Sequence, residues 1–185
     1  MTKDITIVNI VVSSALGKDV PLEKMAATLS NTEYNPEQFP GLVFRIKEPK
    51  TSALIFNSGK IVCTGAKNLE EVRQSIREII KSLEKINIII EEEPDFTIQN
   101  MVASGSIGMD LNLNTLAMKL QNTEYEPEQF PGLVYKVNIE PEGKKSYSAT
   151  FLLFSNGKIV CTGTKSEEQV HESVGVLIEN LKKVK

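Results

Sequence analysis

One passage is written twice in this chain. Asn31–Val43 (NTEYNPEQFPGLV) recurs as Asn122–Val134 with a single change, Asn35 against Glu126, and Gly59–Gly65 (GKIVCTG) recurs unaltered as Gly157–Gly163. Val8-Asn9-Ile10-Val11 has a looser echo in Gln99-Asn100-Met101-Val102. A period of about ninety residues is too long for a solenoid repeat and fits one supersecondary unit duplicated once. Residues 1–91 and 92–185 are therefore expected to fold alike, as a pseudo-symmetric molecule suited to a nearly symmetric target.

Each copy reads as strand, short helix, meander, long helix. In the first, Ile5–Val12 is rich in β-branched residues, and Asp19-Val20-Pro21 opens a helix that reaches about Leu29. Strands follow at Thr32–Asn35, Gly41–Lys47, Ser52–Phe56 and Lys60–Thr64, punctuated by Pro36, Pro40, Pro49 and the Asn57-Ser58-Gly59 turn. Asn68 with Glu71 forms a capping-box pattern, and Leu69, Val72, Ile76, Ile79, Ile80 and Leu83 mark one helical stripe that should cover the sheet. The second copy places a strand at Phe96–Ala103, a helix near Leu113–Leu120, a meander to Thr162, and a long helix from Ser166 with Gln169 in the capping-box position. Its stripe is Val170, Val174, Leu177, Ile178 and Leu181. Asn138–Ser148 carries seven extra residues, which predicts a longer hairpin tip on one side only. Glu91-Glu92-Glu93-Pro94 marks the junction, too short to hold two domains apart, so one continuous sheet is expected.

The length and the 41% apolar content support a real core. No apolar run is long enough to span a bilayer, which points to a cytoplasmic or nucleoplasmic protein. Cys63 and Cys161 occupy the same slot in each copy and read as reduced core residues. The net charge of −3 argues superficially against a nucleic-acid partner, yet the charge is unevenly distributed. Arg45, Lys47, Lys50, Lys60 and Lys67 face only Glu48 in the strand-rich part of copy one, whereas the following helix and linker are acidic. Lys136, Lys144, Lys145, Lys158 and Lys165 repeat the pattern in copy two.

Strand alternation places Val62 and Thr64 on one face of their strand and Ile61 and Cys63 on the other. The face away from the helices then carries Asn9, Val11, Leu54, Val62 and Thr64, and in the other copy Asn100, Val102, Leu152, Val160 and Thr162. That surface is apolar with paired amides and hydroxyls. For an isolated Val/Thr strand, a second core or a face buried in a dimer is the favoured reading, and repetition in both copies shifts that balance. Phe39 and Phe130 lie in loops, and Phe56 and Phe154 end the adjoining strands, giving two aromatic pairs.

With these residues the sequence resembles the TATA-binding protein family in its compact archaeal form, over nearly the whole chain. The diagnostic strings are Tyr34-Asn35-Pro36, Arg45–Thr51, Ala53–Phe56, Ser58-Gly59-Lys60, Thr64–Lys67 and Ile98–Val102. The resemblance implies an α+β fold: a pseudo-twofold saddle made of a continuous curved antiparallel sheet of about ten strands, with four helices on the convex face. It implies a general transcription initiation factor that binds A·T-rich TATA-box promoter DNA in the minor groove. Asn9, Asn100, Thr64 and Thr162 would reach base edges, while Val11, Val62, Val102, Val160, Leu54 and Leu152 press on the groove floor. Adenine N3 and thymine O2 are acceptors, and the guanine amino group is excluded by a flush apolar surface, which favours A·T. Phe39 with Phe56, and Phe130 with Phe154, would intercalate at the end steps and kink the duplex. Arg45, Lys47, Lys50, Lys60, Lys67, Lys136, Lys158 and Lys165 would contact phosphates. Glu126 and Glu128 match the surface that meets transcription factor B, with the RNA polymerase assembly recruited indirectly and a homodimer possible without DNA. The location would be cytoplasmic and nucleoid-associated in an archaeon, nuclear in a eukaryote. Lys136 stands where arginine is common, and Ser52 and Thr150 replace bulkier groove-lining residues.

No catalytic constellation is visible. His171 is the single histidine and lies in the acidic long helix, and Gly105-Ser106-Ile107-Gly108 reads as a turn rather than a phosphate loop. No cofactor and no metal are expected, and the protein is not read as an enzyme. The rival reading is a duplicated α+β interaction or dimerisation module without DNA specificity, in which the same sheet face binds protein.

Overall fold

In a computed structural model describing residues 4–184, the chain forms one ten-stranded antiparallel sheet and four helices. The strands are β1 (Ile5–Ala15), β2 (Thr32–Glu33), β3 (Leu42–Ile46), β4 (Thr51–Ile55) and β5 (Lys60–Ala66) in the first copy. Their counterparts are β6 (Phe96–Ser106), β7 (Thr123–Glu124), β8 (Leu133–Ile139), β9 (Tyr147–Leu153) and β10 (Lys158–Thr164). The helices are α1 (Leu22–Thr28), α2 (Leu69–Glu84), α3 (Leu113–Lys119) and α4 (Glu167–Lys183). Strand order is β2-β3-β4-β5-β1 in one repeat and β6-β10-β9-β8-β7 in the other. By contacts the chain divides into two compact units, Asn9–Gln99 and Met1–Val8 with Asn100–Lys185. They are called below the Asn9 unit and the Asn100 unit.

In the Asn9 unit, α2 packs on β3 and β5. Val72, Ile76, Ile79 and Leu83 are buried against the inward set Leu42, Phe44, Ala53, Ile55, Ile61 and Cys63. Asn68 Oδ1 accepts from the Glu71 N–H, and the Glu71 carboxylate accepts from the Lys67 N–H, so the helix starts where its capping pattern placed it. Leu69, the first helical residue, is exposed, so the stripe becomes buried only from Val72 onward. In the Asn100 unit, α4 packs on β8 and β10, with Val170, Val174, Leu177 and Leu181 buried. Ser166 and Gln169 form the equivalent cap.

Several boundaries differ from the pattern in the sequence: β2 stops at Glu33 rather than Asn35, and β5 continues past Thr64 to Ala66. β1 and β6 each run three residues past their apolar cores, to Ala15 and Ser106. Small residues there have little strand preference of their own, but β5 and β10 supply partners: Ser14 pairs with Ile61, and Gly105 with Ile159. Gly105 and Ser106 are thus strand, not turn. The extra residues of the second copy lengthen a hairpin. β3 and β4 have five residues each, β8 and β9 seven each, and the ladder between the latter extends through Asn138–Ser148 to Ile139–Tyr147. No helix among the described residues is long and apolar enough to cross a membrane.

Candidate nucleic-acid interface

Helices cover one face of each half-sheet, and the burial pattern alternates accordingly. In β5, Ile61 and Cys63 are buried while Val62 is half-buried and Thr64 exposed; β10 repeats this with Ile159 and Cys161 buried and Val160 and Thr162 half-buried. Both thiols are free, and burial pushes each above its ordinary range. The open face of the Asn9 unit is built from cross-strand rows. Val43 pairs with Leu54, which pairs with Val62; Arg45 pairs with Ser52, which pairs with Thr64. The Asn100 unit has the rows Val134–Leu152–Val160 and Lys136–Thr150–Thr162. Val43 and Val134 belong to these rows although they were not singled out above. Their signal was the alternation in Leu42-Val43-Phe44-Arg45.

At the end of each polar row sits an asparagine whose orientation the main chain fixes. Gly65 N–H donates to Asn9 Oδ1 at 2.6 Å, and Asn9 Nδ2 donates to Thr64 Oγ1 at 3.1 Å. A main-chain N–H can only donate, so the amide oxygen must face it and the two amide hydrogens must turn the other way. One is shared with Thr64; the other is free for an acceptor on the open face. Asn100 repeats the arrangement, accepting from Gly163 N–H at 2.8 Å and donating to Thr162 Oγ1 at 2.9 Å.

The N–H that fixes this geometry comes from a β-bulge. Ile10 pairs with Ala66 but Val12 with Cys63, so Thr64 and Gly65 together oppose Val11. Gly65 has φ +101°, and a Cβ there would lie 3.2 Å from Lys50 O and from Thr51 Cα. The Asn100 unit carries the same bulge, with Thr162 and Gly163 opposite Val102. The glycine ending each copy of GKIVCTG is what points the asparagine.

Each aromatic pair is assembled within one unit. Phe39 and Phe56 meet edge to face with ring centroids 5.9 Å apart, and Phe130 and Phe154 do so at the same separation. The loop rings remain 42% and 41% exposed, which argues against simple tucking into their own core. Main-chain N–H groups of Gln38 and Phe39 donate to Asn35 O, and those of Gln129 and Phe130 to Glu126 O, which sets the loop. Gly41 leaves room for the pair: a Cβ there would stand 2.7 Å from Phe39 Cε2 and 3.1 Å from Phe56 Cε1, and Gly132 is placed alike. The repeated Phe-Pro-Gly held this signal.

The candidate phosphate-binding side chains Arg45, Lys47, Lys50, Lys60 and Lys67 are exposed, as are Lys136, Lys158 and Lys165. Of these only Arg45 has an ion-pair partner among the described residues, Glu33 at 3.8 Å. Glu126 and Glu128 are exposed on the loop between β7 and β8. His171 is exposed on α4, remote from the open-face rows by its place on the covering helix. The described residues hold no cluster suited to a metal ion.

The family model described as Transcription factor TFIID (or TATA-binding protein, TBP) matches residues 4–86 and again 95–184, one match per repeat. A TATA-box-binding protein of Methanocaldococcus jannaschii is 46% identical over 184 residues, covering 100% of this chain and 97% of the relative. One from Picrophilus torridus is 49% identical over 182 residues, covering 97% and 95%. The solved structure of Methanococcus jannaschii TBP superposes with a TM-score of 0.85 at 46% identity, covering 97% of this chain and 99% of that one. The chain belongs to the TATA-binding protein family, a family of transcription factors rather than enzymes.

Proposed function

We propose that this protein is a general initiation factor that recognises A·T-rich promoter DNA through the minor groove, using the open faces of both half-sheets. The observation that carries the reading is the pair of main-chain-oriented asparagines. Each presents amide hydrogens among half-buried valines and leucines, the combination that an acceptor-only A·T groove floor fits and a guanine amino group does not. Val11, Leu54, Val62 and Thr64, with Val102, Leu152, Val160 and Thr162, supply the surface around them. Minor-groove wedging is this family's known mode, and the two edge-to-face phenylalanine pairs, Phe39 with Phe56 and Phe130 with Phe154, are placed here as its wedges. Exposed lysines of both units supply the phosphate attraction that fixes register without reading sequence. Glu126 and Glu128 are assigned to transcription factor B, through which polymerase is recruited. The copy-one loop has Asn35 in place of Glu126, so only one end offers both carboxylates.

Fluorescence anisotropy with an A·T-rich duplex and its G·C-substituted counterpart, at several salt concentrations and with end-to-end energy transfer reporting bending, tests the reading. Tighter A·T binding with bending and a negative salt slope is the expected result. Equal affinity for the two duplexes would return the open face to the rival reading, a protein-binding or dimerisation surface.

A further inference from the structure

The extended hairpin of the second repeat adds something to the open face that the first repeat lacks. In the Asn9 unit the polar row Arg45–Ser52–Thr64 is the last open-face rung before the β3–β4 tip, because the one rung beyond it, Ile46 paired with Thr51, is buried. In the Asn100 unit the equivalent row Lys136–Thr150–Thr162 is followed on the open face by one more, Asn138 paired with Ser148. Two residues further along a strand return to the same face, about 6.6–6.8 Å away. The inward positions of this extension, Val137, Ile139 and Ala149, are buried, so its outward positions are Asn138 and Ser148.

The rung is chemically equipped to hold an anion. Ser148 Oγ lies 2.9 Å from Asn138 Oδ1, at the exposed surface. An asparagine amide carries two N–H donors and a serine one O–H. Their mutual hydrogen bond uses one of the three, whichever end of the amide meets the hydroxyl, so two donors remain. Both groups are neutral, and asparagine and serine are among the side chains that bind phosphate and sugar oxygens in protein–DNA complexes.

The hairpin that carries the rung is fastened from behind. Tyr147 donates its hydroxyl to Glu172 Oε1 at 2.5 Å and lies 3.3 Å from Gln169 O, and Lys144 pairs with Glu168, all three partners being on α4. The tether acts on the residue that precedes Ser148, while Asn138 and Ser148 hold each other.

We infer that Asn138 and Ser148 form a neutral contact to the DNA backbone, made by the second repeat alone and lying one rung beyond Lys136. The inference rests on the minor-groove reading above. Its test uses the full chain and A·T-rich and G·C-substituted duplexes of equal length. The double variant Asn138→Ala with Ser148→Ala should weaken A·T binding about tenfold, the scale of a hydrogen bond to a charged group. The A·T to G·C affinity ratio and the slope of log K against log salt should stay unchanged, because no cation is removed. Asn138→Asp retains the oxygen facing Ser148 but turns a second oxygen toward the phosphate, so it should bind more weakly than the alanine variant with the melting temperature preserved. Wild-type affinity in the aspartate variant, with the A·T preference intact, would overturn the contact and leave the minor-groove reading standing. Loss of the A·T preference in the wild-type protein would overturn both.

Discussion

Gly65 decides where Asn9 points. Its left-handed backbone opens the bulge, the bulge frees an N–H, and that N–H holds the amide oxygen. A Cβ at φ +101° is strained, and Lys50 O and Thr51 Cα crowd the site. Gly65→Ala is therefore expected to destabilise the fold by about 1–3 kcal/mol and to lose A·T selectivity as the amide is released. Gly175 in α4 makes the contrast. Nothing lies within 4 Å of its missing Cβ, and its backbone is helical. Gly175→Ala should stabilise by about 0.5–1 kcal/mol and leave binding alone. Denaturant midpoints and anisotropy on both variants check the pair. At this scale the sequence was legible in part. Alternation assigned Asn9, Val62 and Thr64 to one face, but a bulge is a two-strand event, so the role of Gly65 is invisible until β1 is paired with β5. The clearance that Gly41 gives Phe39 and Phe56 is likewise a contact between segments distant in sequence.

Elements were read more fully than their ends. The meander, both capping boxes and the longer second hairpin follow from local pattern, since proline, glycine and cap residues act within a few positions. The tails of β1 and β6 do not, because Ser13–Ala15 and Ser104–Ser106 take their conformation from neighbouring strands. The hairpin tether is also a tertiary feature. Partial burial and the bond to Glu172 hold the Tyr147 phenol well above its usual range. A phenol whose folded-state pKa is raised stabilises the protein fully below the unfolded value, about 10, and that stability is lost as pH rises from there toward the folded value. Cys63 and Cys161, raised by burial, lose theirs in the same direction from about pH 8.5. Melting temperatures measured from pH 8 to 11 should fall in the wild-type protein. Tyr147→Phe should start lower, lacking the bond to Glu172, and fall less steeply above about pH 10, while the thiol part persists.

The whole molecule is a duplication whose copies have diverged at their edges more than in their faces. A net charge of −3 conceals exposed lysines at equivalent places, Lys60 and Lys158 among them. If each neutralises one phosphate, Lys60→Gln and Lys158→Gln should each reduce the salt slope of A·T binding by about 0.9. The double variant should show the sum, since the two side chains share no partner. Anisotropy titrations between about 50 and 200 mM salt read this directly, and a response from only one variant would show that the copies engage the duplex unequally. Divergence is plainest in the β8–β9 hairpin, where each strand is longer by two residues than its counterpart and the connecting loop absorbs the rest. Side chains alternate with a period of two, so growth by one residue per strand would have turned every added position inside out. Growth by two per strand instead ends the longer ladder, at Ile139–Tyr147, on the same face as the shorter one at Ile46–Thr51. A chimera that transplants the tip between repeats should tolerate steps of two residues per strand and reject steps of one, which makes this hairpin a place where new surface can be added without redrafting the old.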